Sequence, residues 1–271
     1  MTLPFMLPRA RDLRLGLSDI FEATLNWRLW TALGWHDVRQ RYRRSTIGPF
    51  WLTLTMGINI TAIGLLWSLI FNISTHDFVP HLCLGFMTWY LITGMINEGA
   101  MAFIASAGLI RQIRQPIFLY MLWTIWRNLI VFGHNFVVYV VVVAIYQVPV
   151  NVNTALVLVT FPLAMLSITW VPCVVGMIST RYRDIPQIVI SVLNILFYVT
   201  PIIWRRDQLG DRQLIADLNP LTHVVEMISA PLTGKLPTLL NWECTFALIL
   251  FGWGFTVLFF SRFRARVPYW L

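Results

Sequence analysis

Charged residues fall in clusters along this chain, and between the clusters lie long stretches in which nearly every position is apolar. No Asp, Glu, Lys or Arg occurs from Ser45 to His76. The window from Phe78 to Asn97 is also free of them, and after Glu98 the apolar run continues to Ile110. From Asn128 to Thr180 there are 53 consecutive residues without such a charge. A helix of about 20 residues crosses the ~30 Å of a bilayer's hydrocarbon, so this stretch predicts two crossing helices and a hairpin. Gln147-Val-Pro-Val-Asn-Val-Asn153 supplies the turn between them. With spans near 49–72, 78–97, 185–204 and 244–261, the pattern predicts six transmembrane helices in an all-α integral membrane protein.

Two segments outside the spans also carry a helical period. Trp27, Trp30, Thr31, Gly34, Trp35, Val38 and Tyr42 recur on one face, with Arg28, His36, Arg39 and Arg43 on another. That predicts an amphipathic helix in the membrane interface, aromatic side toward the acyl chains. Between spans five and six, residues 205–243 form one long loop. Asn219-Pro220 in it reads as an N-cap followed by proline at the first helical position, and Pro231 as a stop. Leu218, Leu221, Val225 and Ile228 share a face, so short external helices are expected there. The chain reads as a single membrane domain over 1–271, with an N-terminal segment 1–48, a six-span region 49–261 and a tail 262–271.

Arginine placement sets the orientation. Sixteen of the 20 Lys/Arg fall on one side: eight before the first span, then Arg111, Arg114, Arg127, Arg181, Arg183, Arg262, Arg264 and Arg266. The other side has Arg205, Arg206, Arg212 and Lys235, diluted by acids. The positive-inside rule makes both termini cytoplasmic. Charged residues are only 12% of the chain and mean hydropathy is +0.69, against about 25% charged in soluble domains. The net charge of +8 therefore reflects a membrane surface rather than a nucleic acid. Residues 1–48 hold eight arginines and no continuous apolar core, so no cleavable signal is expected.

Catalytic chemistry is hard to place on these residues. The five histidines are scattered, and Cys83, Cys173 and Cys244 lie far apart without metal-ligand spacing. Gly234-Lys235 looks like the end of a phosphate-binding loop, but position 229 is Ser and no Ser or Thr follows the lysine. The chain is expected to hold no catalytic residue, metal or cofactor of its own. Glu98 stands inside an apolar stretch, so it must face protein or water, or stay protonated. It reads either as a polar point on a translocation path or as a structural hydrogen bond to Asn128, Asn135 or His134. Arg39, Arg41, Arg43 and Arg44 read either as headgroup anchors or as a cradle for a lipid-borne phosphate.

Asp37-Val-Arg-Gln-Arg-Tyr-Arg-Arg-Ser-Thr-Ile-Gly-Pro-Phe-Trp51 resembles the membrane-entrance motif of ABC-type polysaccharide export permeases, which export O-antigen, capsule or teichoic-acid chains. Similar likenesses follow in order at Leu109 to Phe118, Arg181-Tyr-Arg-Asp184, Tyr198-Val-Thr-Pro-Ile202, Leu218-Asn-Pro-Leu221 and Arg266-Val-Pro-Tyr-Trp-Leu271. The resemblance implies a homodimer in the bacterial inner membrane, docked on separate ATPase subunits that bind the ATP and Mg. It implies that Leu109, Ile110, Arg111, Gln112, Ile113, Arg114, Gln115, Pro116 and Ile117 form the segment coupled to the ATPase. Trp51, Phe197 and Tyr198 would border a path for a lipid-linked glycan, with Glu98 a further candidate. A membrane transferase using Asp37 and Asp184, a proton-coupled carrier centred on Glu98, and an ABC exporter of a small molecule are the alternatives.

Overall fold

The computed structural model describes residues 8–41, 43 and 50–271. The chain opens with α1 (Ala10–Leu25) and α2 (Trp27–Arg41), parted only by Asn26. Then follow α3 (Phe50–Phe71), α4 (Thr75–Ala105), the short α5 (Ala107–Gln112) and α6 (Phe118–Tyr146). A turn leads to α7 (Val157–Ile168) and α8 (Trp170–Arg181), then α9 (Ile185–Val199). The four-residue α10 (Leu214–Asp217), α11 (Pro220–Leu232), α12 (Leu239–Phe263) and α13 (Val267–Trp270) complete the chain. Among the described residues five stretches are long and apolar enough to cross a membrane: Thr53–Ile70, Thr75–Ala105, Phe118–Tyr146, Val152–Arg181 and Leu239–Trp270.

The region predicted as a fifth span behaves differently from the rest. Its helix, α9, has 15 residues, or about 22 Å at 1.5 Å per residue. Pro201 explains the stop: the residue before a proline is pushed out of the helical region, and Thr200 is extended at φ −84, ψ 138. The Thr200 hydroxyl then donates to the Leu196 carbonyl at 2.7 Å and accepts from the Asn219 amide at 2.9 Å, tying this end to α11.

α4 is the axis of the bundle. Within its apolar window 78% of residues are buried, against 28% for α3 and 17% for α6. Helices α3, α6, α8, α9 and α11 all pack on it. Small residues permit the closest of these approaches. A Cβ on Gly99 of α4 would lie 2.3 Å from the Pro172 Cβ of α8, and one on Gly176 of α8 would lie 2.5 Å from the Gly99 carbonyl. Close backbone contact is how membrane helices gain packing without a hydrophobic drive between them.

Two apolar cores result. The larger runs along α4 and takes in α3, α6, α7, α9 and α11. The smaller joins Ala23, Phe103, Ile110, Phe118, Met177, Phe260 and Val267. It sits at the end of the bundle where α1, α5, the start of α6 and the end of α12 meet, which is also the arginine-rich end.

The N-terminal helix is present where expected, but its stripe divides. Trp30, Gly34 and Val38 turn toward α6, with Trp30 edge-on to Trp126 at 5.9 Å and room for a Gly34 Cβ only 2.8 Å from Trp126. Trp27 and Trp35 remain exposed. Glycine at 34 lets a protein neighbour take the place the pattern assigned to lipid. Tyr42, Arg44 and the segment 45–49 lie outside the described residues. On the opposite side, α11 starts as the sequence predicts: the Asn219 side chain accepts from the Leu221 N–H at 3.0 Å. Leu221, Val225 and Ile228 are buried against the bundle, while Leu218 is exposed. The hairpin turns at Gln147, in the left-handed region at φ 48, and is pinned where the Asn151 and Asn153 amides both donate to the Gly234 carbonyl at 3.0 Å.

Candidate functional site

The arginine-rich end gathers most of the residues singled out from the sequence. Gly94, one turn before Glu98, has no Cβ; one would sit 2.4 Å from Asn128 Oδ1. This allows α6 to approach α4 and bring Arg127 and Asn128 onto the Glu98 carboxylate. Glu98 Oε2 accepts from Arg127 Nε at 3.0 Å, Arg127 Nη2 at 2.8 Å and Asn128 Nδ2 at 2.8 Å. Its Oε1 accepts from Arg41 Nη2 of α2 at 3.2 Å. Arg127 Nη1 reaches Asp37 Oδ2 of α2 at 2.9 Å. Two guanidiniums thus neutralise two carboxylates where α2, α4 and α6 meet.

Of the expected partners of Glu98, Asn128 is the one present. Asn135 instead accepts from the Thr53 hydroxyl, and His134 faces the Ile130 carbonyl. In the sequence Arg127 reads only as one more positive charge on its side. The signal that pairs it with Glu98 is that each is the lone charge in a long apolar neighbourhood. The sequence assigned Asp37 to a transferase reading, but here it is held by Arg127, while Asp184 is exposed.

The segment from Leu109 to Ile117 lies at the same end. Arg111, Gln112, Ile113 and Arg114 are exposed, whereas Ile110 belongs to the smaller core and Pro116 is buried. Where the segment ends, Asp19 of α1 supplies what a helix start lacks. The first N–H groups of a helix have no partner within it, and Asp19 accepts from Ile117 N at 3.2 Å and Phe118 N at 3.0 Å. The same carboxylate accepts from Arg264 Nη1 at 3.1 Å, just past α12. Burial is the largest influence on this carboxyl and raises it above the ordinary 3.8, against the pull of the two backbone N–H groups and Arg264. No feature of the basic N-terminal sequence marks Asp19 apart from Asp12 or Glu22.

Arg39, Arg41 and Arg43 are exposed beside this assembly. Trp51 lies on the outward face of α3, 56% exposed. Phe197 of α9 packs between Phe86 at 5.6 Å and Trp89 at 5.7 Å of α4, and Tyr198 beside it is 67% exposed. Trp51 and Phe197–Tyr198 therefore belong to two helices that flank α4. The sequence does not single out the α4 aromatics Phe86, Trp89 and Tyr90; Phe86 and Trp89 pack on Phe197, and Tyr90 packs on Phe86 at 5.8 Å.

A profile of the ABC-2 type transporter family matches residues 28–232. The chain belongs to that family. The match runs from α2 through α11 and so includes the Glu98 node, the 109–117 segment and both aromatic helices. Among curated proteins, the O-antigen export system permease protein RfbA of Myxococcus xanthus is 23% identical over 203 residues, covering 72% of this chain and 76% of that protein. An ABC-2 permease is a transmembrane component that works with an ABC ATPase. Asp19 and Arg264 lie outside the matched residues.

Proposed function

We propose that this ABC-2 permease acts as a pair of copies in the bacterial inner membrane, each docked on a separate ATPase subunit, and moves a lipid-linked polysaccharide through a path between them. The observation that carries the reading is the exposed run from Arg111 to Arg114, set on buried Ile110 and Pro116. Two guanidiniums and an exposed Ile113 offer charge and apolar area to a partner, on a footing that transmits force. ATP and Mg are bound by that partner.

The substrate class rests on the likeness to an O-antigen export permease. Pairing is supported by α3 and α9, which rest on α4 and turn Trp51, Ile58, Leu69, Ile195 and Tyr198 outward. In this reading Trp51, Phe197 and Tyr198 border the path, Glu98 is a held charge near its cytoplasmic mouth, and Arg39, Arg41, Arg43 and Arg44 meet the lipid-borne phosphate. In this reading α9 is a short fifth crossing of six, and both termini lie in the cytoplasm, the side that carries 16 of the 20 Lys/Arg.

The test is reconstitution with and without the ATPase, reading appearance of the polysaccharide outside the vesicle. Transport that requires both the ATPase and ATP supports the proposal. Turnover by the permease alone, or transport that follows a proton gradient without ATP, overturns it.

A further inference from the structure

We infer that Asp19 is a positioning residue that joins the output of the 109–117 segment, helix α1 and the end of α12 into one moving body. The inference rests on the proposed ATPase-driven export and assigns the part that spreads the stroke beyond α6.

The geometry is that of a three-way clamp. Asp19 Oδ1 takes the Phe118 N–H at 3.0 Å, and Oδ2 takes both the Ile117 N–H at 3.2 Å and the Arg264 guanidinium at 3.1 Å. Asp19 lies in the middle of α1 and is 7% exposed. One turn before it, a Gly16 Cβ would meet Ser261 Oγ of α12 at 2.1 Å, and one turn after it Ala23 is fully buried. A face built of Gly16, Asp19 and Ala23 is shaped to bring α1 against α12, and packing alone would place an apolar residue between two such small ones. The acid is there for its bonds.

Those bonds fall at the point where force leaves the coupling segment. A push on Arg111 to Arg114 passes through buried Pro116 to Ile117 and Phe118, the N-cap and first residue of α6. Unclamped, α6 would tilt alone. With Asp19 engaged, α1 and the end of α12 must follow, and α12 packs against α11 at the far end of the bundle. The tail adds a second hold, since α13 packs on both α5 and α8 and Arg183 donates to the Trp270 carbonyl at 3.3 Å.

The experiment uses the full permease–ATPase complex in vesicles and reads ATP turnover and polysaccharide export together. Asp19→Ala is expected to keep ATP turnover within about twofold while export falls about tenfold, with partial rescue by Asp19→Glu. A readout independent of export follows the α1–α6 distance. Spin labels at Phe21→Cys, exposed on α1, and Gly133→Cys, with no atom within 4 Å of its Cβ position, are placed in a Cys244→Ser chain whose other cysteines are buried. With Asp19 present the distance stays constant when ATP binds; with Asp19→Ala it changes. If Asp19→Ala does not assemble, Asp19→Asn, which keeps an acceptor but loses the charge facing Arg264, is measured in the same way. Export and turnover falling in parallel, or a distance that ATP leaves unchanged in the variant, overturns the inference. A wild-type complex that hydrolyses ATP without exporting sinks the proposed function instead, and the label distances still decide on the clamp.

Discussion

Arg127 grips Glu98 through two nitrogens at 3.0 and 2.8 Å and reaches Asp37 with the third at 2.9 Å, so one guanidinium closes the contact between α2, α4 and α6. Its side chain is 17% exposed, whereas Arg41, the other cation on Glu98, is 47% exposed. Removing Arg127 leaves two half-buried carboxylates facing one another. Arg127→Ala should cost about 2–3 kcal/mol, in the range for losing hydrogen bonds to charged groups. Arg41→Ala should cost less than about 1 kcal/mol, as for an exposed pair. Unfolding in detergent micelles compares them; equal losses would show that Arg127 is not the centre of the node.

The small-residue contact between α4 and α8 gives a prediction with its own control. Gly176→Leu forces a side chain into the Gly99 carbonyl, the Met121 methyl and the Phe103 ring, all within 3.3 Å of the Cβ position. Overpacking of this kind costs about 1–3 kcal/mol or more. Gly57→Ala on α3 meets nothing within 4 Å and should be neutral or slightly stabilising through helix propensity. Comparable losses in the two variants would remove the case for a tight α4–α8 seam.

How much of this was legible beforehand depends on the range of the interaction. The α6–α7 hairpin at Gln147 to Asn153 and the start of α11 at Asn219-Pro220 come from local signals, and both were readable. The division of the α2 stripe was not, because Trp30 and Gly34 meet Trp126 across more than ninety residues of sequence. The buried face of α1, Gly16, Asp19 and Ala23, holds no large apolar residue, so the sequence pattern does not mark it. Only polarity shows there in the sequence; the structure brings to it two backbone N–H groups from mid-chain and an arginine from near the C-terminus.

The exposed arginines of the 109–117 segment separate docking from folding. Arg111→Glu with Arg114→Glu should leave the unfolding midpoint within about 0.5 kcal/mol of wild type, as for surface sites. Under the proposed function, the same pair should abolish co-purification with the ATPase, since the two guanidiniums offered to it become carboxylates. A variant that still captures the ATPase and exports would move the docking site elsewhere.

Asp19 also gives the fold a pH signature. Its carboxyl is raised above 3.8, first by burial, with the Phe118 and Ile117 N–H groups and Arg264 opposing. A carboxyl with a raised value holds its proton more tightly in the folded chain than in the unfolded one. Its contribution to stability is therefore full below about 4 and lost as pH rises through the raised value. Relative to Asp19→Asn, wild type should lose stability as pH climbs from about 4 through that window. Unfolding midpoints of both proteins across this range provide the measurement, and a wild type that gains on the variant would reverse the assignment. The ionised clamp is held at a cost to the fold, as expected of a group kept for its bonds.

The arginines before α3 divide into two kinds, and the division decides between anchoring and grip. Arg41 is tied to Glu98 at 3.2 Å, while Arg39 and Arg43 are exposed at the same end. If they only hold the helix at anionic headgroups, Arg39→Ala with Arg43→Ala should weaken attachment to any anionic vesicle and leave selectivity among lipids unchanged. If they cradle a diphosphate, each guanidinium offers paired donors matched to phosphate oxygens, which an ammonium lacks. The Arg39→Lys, Arg43→Lys protein then separates the cases, because it keeps the charge and loses the fork. Under the proposed function, the lysine protein should insert normally yet bind the diphosphate-linked glycan about tenfold more weakly, a difference of ~1.4 kcal/mol. Binding of the purified complex to a diphosphate-linked lipid in neutral nanodiscs, measured for wild type, alanine and lysine proteins, is the comparison. Equal affinity in wild type and lysine protein would leave these residues as surface anchors.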